Sequence, residues 1–337
     1  MTEIRLTLDE VEALAAAALT GAGASGASAA AVARSTRLAE RDGIRSHGLI
    51  YVPVYAEHVA CGKVDGRASP TVERPRPSAI RVDAATGFAH PAIEAGLPEL
   101  FAAARETGVA AMTIHNSYNC GVLGHHAERI AEAGLLGLCF TNAPASIAPV
   151  GGNAPVIGTN PFALGVPGTG GEAALVIDQS ASVVAKSEIM LRSRKGEPLE
   201  PGWALDAEGA PTTDPATALK GSMAPAGGYK GFGIGLVAEL FAACLSGATL
   251  GKDASPFSGT AGGPPRTGQC FLALDPAGFS GAAFQERVGS LLAAIEAQEG
   301  ARLPGMRRRA NRARIEAEGI TADADLVERI RSLAAPR

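Results

Sequence analysis

Helix-period segments occupy both ends of this chain, while short apolar runs bounded by glycine and proline fill its middle. That order points to an α/β or α+β layout, with helices from both termini around a strand-rich centre. Thr7 and Asp9 precede Val11, Leu14, Ala15 and Leu19, a capped helix over residues 7–20. Further helical patterns run over 27–41, 49–61 (with Pro53 in the first turn), 90–107 and 122–133. Strands are expected at 79–83, 109–115, 136–142, 162–166, 173–177 and 269–274, and a proline-rich loop near 69–77. Residues 191–224, with Pro198, Pro201, Pro211 and Pro215, read as a long polar excursion. Tyr229 to Ser246 reads as a buried helix, and 281–299 and 301–317 as two amphipathic helices. No internal repeat is visible.

Composition narrows the function more than the fold. With 46% hydrophobic and 19% charged residues over 337 positions, the chain can bury a large core. Aromatic residues make up only 4%, and 30 Lys+Arg stand against 34 Asp+Glu, so neither a stacking platform nor a basic field for nucleic acid is present. The five cysteines are widely spaced and form no CxxC, which argues against a disulfide framework or a zinc ribbon. The N-terminus lacks a basic, then apolar, leader pattern, and no apolar stretch is long enough to span a bilayer, so a cytoplasmic location is expected.

Two apparent motifs lack their physical context. Gly21-Ala-Gly23-Ala-Ser-Gly26 matches the dinucleotide fingerprint, but a helix rather than a strand precedes it, so it reads as a helix–loop–helix connection. His125 and His126 would diverge on a helix, and with Glu128 they do not complete a zinc set, so no metal is expected.

Three glycine-framed polar segments carry the chemistry. Arg45-Ser46-His47-Gly48, ahead of Tyr51 and Tyr55, can present an imidazole to a cleft as a proton donor near neutral pH; a lone histidine there is more often a capping or surface residue. The second runs from His115-Asn116-Ser117-Tyr118-Asn119-Cys120-Gly121 through Thr141-Asn142 to Gly158-Thr159-Asn160-Pro161. Its amides could bind a carboxamide or phosphate, or simply form Asx turns. The third is Asp178-Gln179-Ser180-Ala181-Ser182 with Gly228-Tyr229-Lys230-Gly231, where Asp178 could fix a histidine's tautomer and Lys230 could meet an anion.

Together these segments resemble the malate/L-lactate dehydrogenase family of NAD(P)-dependent oxidoreductases, which is distinct from the Rossmann lactate and malate dehydrogenases. The resemblance spans nearly the whole chain. It rests on Ser46-His47-Gly48, Gly158-Thr159-Asn160-Pro161, Asp178 with its Ser/Ala-rich sequel, Lys230-Gly231, Asp275-Pro276 and Arg302-Leu303-Pro304-Gly305. It implies a non-Rossmann fold with a large mixed or antiparallel sheet. Residues 1–75 together with 280–337 would form a helical domain, and 76–279 a central cofactor-binding sheet domain. It also implies a homodimer and NAD or NADP as cofactor.

The resemblance makes His47 the acid/base, flanked by Ser46 and by Asp178, which would orient its ring. Thr159 and Asn160 would lie on the nicotinamide side. Ser180, Ala181, Ser182, Lys230, Gly231 and Gly305 would contact the cofactor. Arg307, with Arg302 and Arg308, could reach a 2′-phosphate or simply form a solvated helix face. Two positions depart from the pattern: Asn119 stands where many members carry histidine, and Tyr51 where many carry an arginine suited to clamp a carboxylate. Arg45, Tyr51, Tyr55 and Asn119 are therefore the substrate-side candidates. The expected reaction is reversible hydride transfer to a small 2-oxo acid, or to a cyclic 2-imino acid, which the phenol at position 51 favours. The competing class is a nucleotide-binding protein that has kept the fold without catalysis.

Overall fold

The computed structural model describes residues 2–335. Strand β1 (Glu3–Leu6) leads into helix α1 (Leu8–Gly21), whose start is fixed by a reciprocal cap. The Glu10 N–H donates to the Thr7 hydroxyl, and the Thr7 N–H donates to the Glu10 carboxylate. Helix α2 (Gly26–Arg41) follows, so the Gly21–Gly26 run is a turn between two helices. Two 3-10 turns, Arg45–His47 and Leu49–Tyr51, then feed α3 (Val52–Ala60), with Pro53 in its first turn.

The next stretch builds the sheet. It contains β2 (Thr71–Arg76), β3 (Ala79–Asp83), α4 (Ala89–Thr107), β4 (Val109–Ser117), α5 (Leu123–Glu132), β5 (Leu136–Thr141), β6 (Phe162–Pro167) and β7 (Ala173–Gln179). The proline-rich stretch expected to be a loop is thus strand β2. It lies at the sheet edge, and its register shifts between Glu73 and Arg76, where Pro75 removes a ladder donor that an edge can spare.

The excursion adds α6 (Lys186–Lys195), β8 (Ala204–Leu205), β9 (Pro211–Thr212), α7 (Pro215–Ala218) and β10 (Ser222–Met223). It has its own small core of Ile147, Ile157, Ile189, Leu199 and Met223, with Trp203 packed on it. Helix α8 (Tyr229–Glu239) continues through one π turn at Leu240–Cys244. Strand β11 (Thr267–Leu274), α9 (Ala283–Glu296), α10 (Met306–Glu318), β12 (Ile320–Asp323) and α11 (Ala324–Leu333) complete the chain. Helix α10 starts five residues later than its periodicity suggests, because Leu303-Pro304 is followed by Gly305 at a left-handed φ of 85°.

The seven-stranded sheet has the order β2-β3-β4-β11-β5-β6-β7. Only β3 and β4 are parallel, joined by the crossover helix α4; every other neighbour is antiparallel. The mixed sheet read from the sequence is present, and it is not doubly wound. Leu97, Leu100, Met112, Ile114 and Phe271 fill the core between α4 and the sheet. Each such side chain stabilises the fold by about 1.5–3 kcal/mol through burial alone.

The chain ends are stitched together. β1 pairs antiparallel with β12, and Leu8, Val11, Val327 and Ile330 share one core. Helix α8 departs from its expected burial: Ile234, Val237, Leu240 and Leu245 are 40–60% exposed. Its apolar residues run all round the axis, so the sheet can cover only one side.

Candidate active site

Helix α2 ends at Arg41, and its last turn supports the segment that carries His47. Glu40 is buried, and its carboxylate accepts the Leu49 N–H at 2.8 Å. A Cβ on Gly48 would sit 2.0 Å from that carboxylate, so glycine is needed for the Ser46-His47-Gly48 turn to close over Glu40. Burial pushes Glu40's carboxyl up, against the hydrogen bond from Leu49.

The turn presents His47, whose Nδ1 lies 3.0 Å from the Ser46 hydroxyl. Among the described residues nothing hydrogen-bonds its Nε2. Burial lowers the pKa of His47, the nearby Asp178 carboxylate opposes that, and His125 adds to it.

Asp178, at the end of β7, does not make the ring contact expected of it. Its Oδ2 accepts the Gly124 N–H at the start of α5 and an Arg308 N–H, each at 2.9 Å. Toward His47 it is a nearby negative charge that favours the imidazolium, while Ser46 is the ring's hydrogen-bond partner. Arg308, expected near a cofactor phosphate, is the counter-ion of Asp178.

A pH dependence follows. An imidazole with a lowered pKa holds its proton only below that value, so reductive turnover falls as pH rises through it. Asp178→Asn removes the opposing charge and shifts this midpoint to lower pH. The pH profile of kcat/KM measures it, and an unchanged midpoint would refute the coupling.

The two departures from the family pattern meet in space. The Tyr51 hydroxyl donates to the Phe257 carbonyl at 3.3 Å. Burial pushes the Tyr51 phenol up, and a hydrogen bond with Asn119 partly offsets this. Asn119 also closes an Asx turn, its Oδ1 accepting the Gly121 N–H at 2.6 Å.

Tyr51, Tyr55, Tyr118, Phe88 and Phe257 form an edge-to-face ring cluster, with Tyr51 and Tyr55 centroids 4.7 Å apart. Tyr55 is 2% exposed inside it and is a core residue, not a substrate contact. Arg45 is exposed and lines a surface cavity of about 390 Å³ with Arg5, Glu40, Arg314 and Glu318; neither His47 nor Asp178 borders it.

The glycine-framed loops converge as expected, but several side chains are inward supports. Asn160 is fully buried: its amide donates to the Gly235 carbonyl and the Glu239 carboxylate, and its Oδ1 accepts the Ala143 N–H. It cannot touch a nicotinamide with that amide. Thr159 is half-buried, and its carbonyl accepts the Ala181 N–H. Ala181 is buried, and the Ser180 and Ser182 hydroxyls bond each other at 3.0 Å. Lys230 and Arg307 are exposed and have no ion-pair partner among the described residues. Gly231 is buried at the start of α8, and Gly305 caps α10.

Other supporting residues had no local signal. Lys63, 1% exposed, donates to the Pro256 and Gly259 carbonyls at 2.6 and 3.1 Å. His58 Nε2 donates to the Gly259 carbonyl, so its Nδ1 accepts from the Tyr118 hydroxyl. With Tyr51 these side chains pin residues 256–259 against the ring cluster. Only partners distant in sequence reveal such roles.

A family model described as malate/L-lactate dehydrogenase matches residues 6–331. The chain is 41% identical to the Δ1-pyrroline-2-carboxylate reductase of Ancylobacter novellus, covering 98% of this chain and 97% of that protein. It is 44% identical to the (2R)-3-sulfolactate dehydrogenase (NADP+) of Chromohalobacter salexigens, covering 98% of each. Its backbone superposes on the crystal structure of Δ1-piperideine-2-carboxylate reductase from Pseudomonas syringae pv. tomato with a TM-score of 0.92. That match is 35% identical and covers 98% of this chain and 99% of the other.

Fold and site together define a nicotinamide-dependent oxidoreductase built on a sheet other than the Rossmann one. The chain belongs to the malate/L-lactate dehydrogenase family. Among the described residues no helix is long and apolar enough to cross a membrane.

Proposed function

We propose that this enzyme reduces the C=N bond of a small cyclic 2-imino carboxylate, reversibly, with NADPH or NADH. The observation that carries the reading is Tyr51, a half-buried phenol four residues along the chain from His47 and beside Asn119, which packs edge-to-face on the buried ring cluster. A flat heterocycle gains from ring faces, whereas an open-chain diacid calls for a second cation that Tyr51 does not supply.

The residues present fit a dinucleotide. Gly227 and Gly228 take left-handed φ values of 72° and 65° and lead into the uncapped N-terminus of α8. A Cβ on either would meet nothing within 4 Å, and the exposed Lys230 stands beside this open space. Free N–H groups and an unpaired ammonium suit a pyrophosphate. Lys230, Gly231, Ser180, Ser182 and Gly305 are proposed to hold the cofactor, with Arg307 toward any 2′-phosphate and Thr159 nearest the reacting end. The nicotinamide supplies the hydride when bound. His47 Nε2 gives the proton to the substrate nitrogen on reduction and takes it back on oxidation. Ser46 fixes the ring through Nδ1, and Asp178 stabilises the imidazolium. Asn160 holds the Thr159 loop from behind.

The 44% identity to a sulfolactate dehydrogenase favours a second reading, reduction of a 2-oxo acid to a 2-hydroxy acid. The same constellation would then protonate oxygen. A panel of Δ1-pyrroline-2-carboxylate, Δ1-piperideine-2-carboxylate, sulfopyruvate, oxaloacetate and pyruvate, assayed by loss of reduced-nicotinamide absorbance, separates the two. The cyclic imines are expected to give the highest kcat/KM. A preference for an oxo acid overturns the imine reading, and cofactor binding without turnover of any member overturns catalysis altogether.

We also propose a homodimer that covers the outer face of α8. Ile234, Val237, Leu240 and Leu245 form an apolar strip too long to leave in water. Light scattering should give twice the 34.0 kDa chain mass, and a monomer at micromolar concentration would overturn the assignment.

A further inference from the structure

Helices α2, α4 and α5 enclose a cavity of about 280 Å³. Arg34, Ser35, His90, Glu94, His125, His126 and Arg129 line it, and it shares no lining residue with the group around His47 and Asp178. Glu94 is already neutralised, since Arg34 donates to both its oxygens at 2.7 and 2.8 Å. Arg129 makes no ion pair among the described residues, and the carboxylates of Glu94 and Glu132 act on it only at longer range, so its guanidinium N–H groups are left for a ligand.

The imidazoles are equally short of partners. His90 is 3% exposed, and neither of its ring nitrogens has a hydrogen bond. His126 is 6% exposed: its Nε2 bonds the Cys120 carbonyl at 2.9 Å, and its Nδ1 is orphaned. His125 spends Nε2 on Asp42 and leaves Nδ1 unpaired. Buried polar atoms without partners are rare and costly, and several around one cavity point to something that fills it.

We propose that this cavity is a binding site for a small oxyanion, separate from the catalytic cleft and coupled to proton uptake. Arg129 provides the charge, Ser35 a hydroxyl, and His90 an N–H in either tautomer. His126, with its N–H already committed at Nε2, can turn Nδ1 from acceptor to donor only by taking a proton. Burial pushes His90 and His126 down to about 3, so both are neutral without a ligand. An anion among them raises both, because the bound charge favours imidazolium. The charged and titratable groups facing these rings are Arg34 on α2, Glu94 on α4, Arg129 on α5, Asp42 just beyond α2, which holds His125 Nε2, and His47 from the neighbouring turn, which adds a further push downward on His90.

Sulfate is the probe, because its charge is constant across the range tested. Calorimetric titration at fixed ionic strength, at about pH 6 and about pH 8, should give one saturable site that is tighter at the lower pH. Titrations in two buffers of different ionisation enthalpy should show protons taken up on binding. Arg129→Met should weaken sulfate at least about tenfold, and His90→Gln should reduce the proton uptake, both with imine or oxo-acid turnover retained. Saturating NADPH should leave sulfate binding unchanged. Absence of saturable binding, in which case water fills the cavity, would overturn the proposal. So would an Arg129→Met protein that binds as well as wild type, or displacement of sulfate by NADPH, which would put the anion in the cofactor cleft. The titration uses neither substrate nor turnover, so its failure leaves the catalytic reading standing.

Discussion

His47→Ala is expected to lower kcat for reduction at least about a hundredfold, the usual scale of general acid catalysis. Ser46 holds Nδ1, so Nε2 is the ring atom free to deliver a proton, and no other described residue shares that turn with a titratable group in the required range. The loss should fall on kcat rather than on the cofactor's dissociation constant, because alanine removes a transition-state proton transfer and leaves the open N-terminus of α8 untouched. Steady-state kinetics alongside fluorescence titration of NADPH separates the two. Near-wild-type turnover would remove His47 from the chemistry, and a matching loss of cofactor affinity would mean that the turn, not the proton, had been damaged.

The second large effect is on stability. Asp42, 2% exposed just beyond α2, accepts from His125 on α5 at 3.1 Å and from Arg312 on α10 at 3.0 and 2.8 Å. Arg312 also grips Glu128 of α5 at 2.9 and 3.0 Å. Burial alone would raise Asp42's carboxyl; the hydrogen bonds from His125 and Arg312 outweigh it and hold the group well below the usual carboxylate range. Asp42→Asn leaves Arg312 without one of its two carboxylates, and breaking a buried pair on one side costs about 3–5 kcal/mol.

The sign of its pH dependence follows. A depressed carboxyl contributes stability that is present above its unfolded value and lost as pH falls through the folded one, so wild type should lose stability into acid more steeply than the variant. Urea denaturation at neutral and acid pH measures both. Equal stability of wild type and Asp42→Asn at neutral pH would show that the network is ornamental.

How much of this was legible beforehand depended on the range of the interaction. The Thr7 cap, the Pro53 start of α3 and the alternation of β4 are set by neighbours within a few residues, and the sequence shows them directly. The proline-rich run at 69–77 misled because edge position, which only the completed sheet defines, is what makes Pro75 tolerable in β2. Helix α8 misled differently: its apolar character was readable, but which side the sheet would cover was not.

Site residues divide in the same way. Ser46 and His47 in a glycine-framed turn, Asp178 at the end of β7 and Lys230 at the glycine-framed start of α8 are marked by the composition around them. Tyr55 and Asn160 lie in the same loops and helices but point inward, a matter of helical phase and loop closure. Lys63, His58 and Glu239 left no trace in sequence, since each acquires its role from a carbonyl or amide that arrives from elsewhere in the chain.

The sequence by itself determined the family and the mixed α/β class and marked His47 as the acid/base candidate, because ordered short motifs and local periodicity survive without coordinates. Only the tertiary structure decided that Asp178 lies near His47 without a bond to its ring, that Tyr51 and Asn119 meet, and that three histidines surround one cavity. Those are facts of distance between segments, and distance is what folding adds to the order of residues.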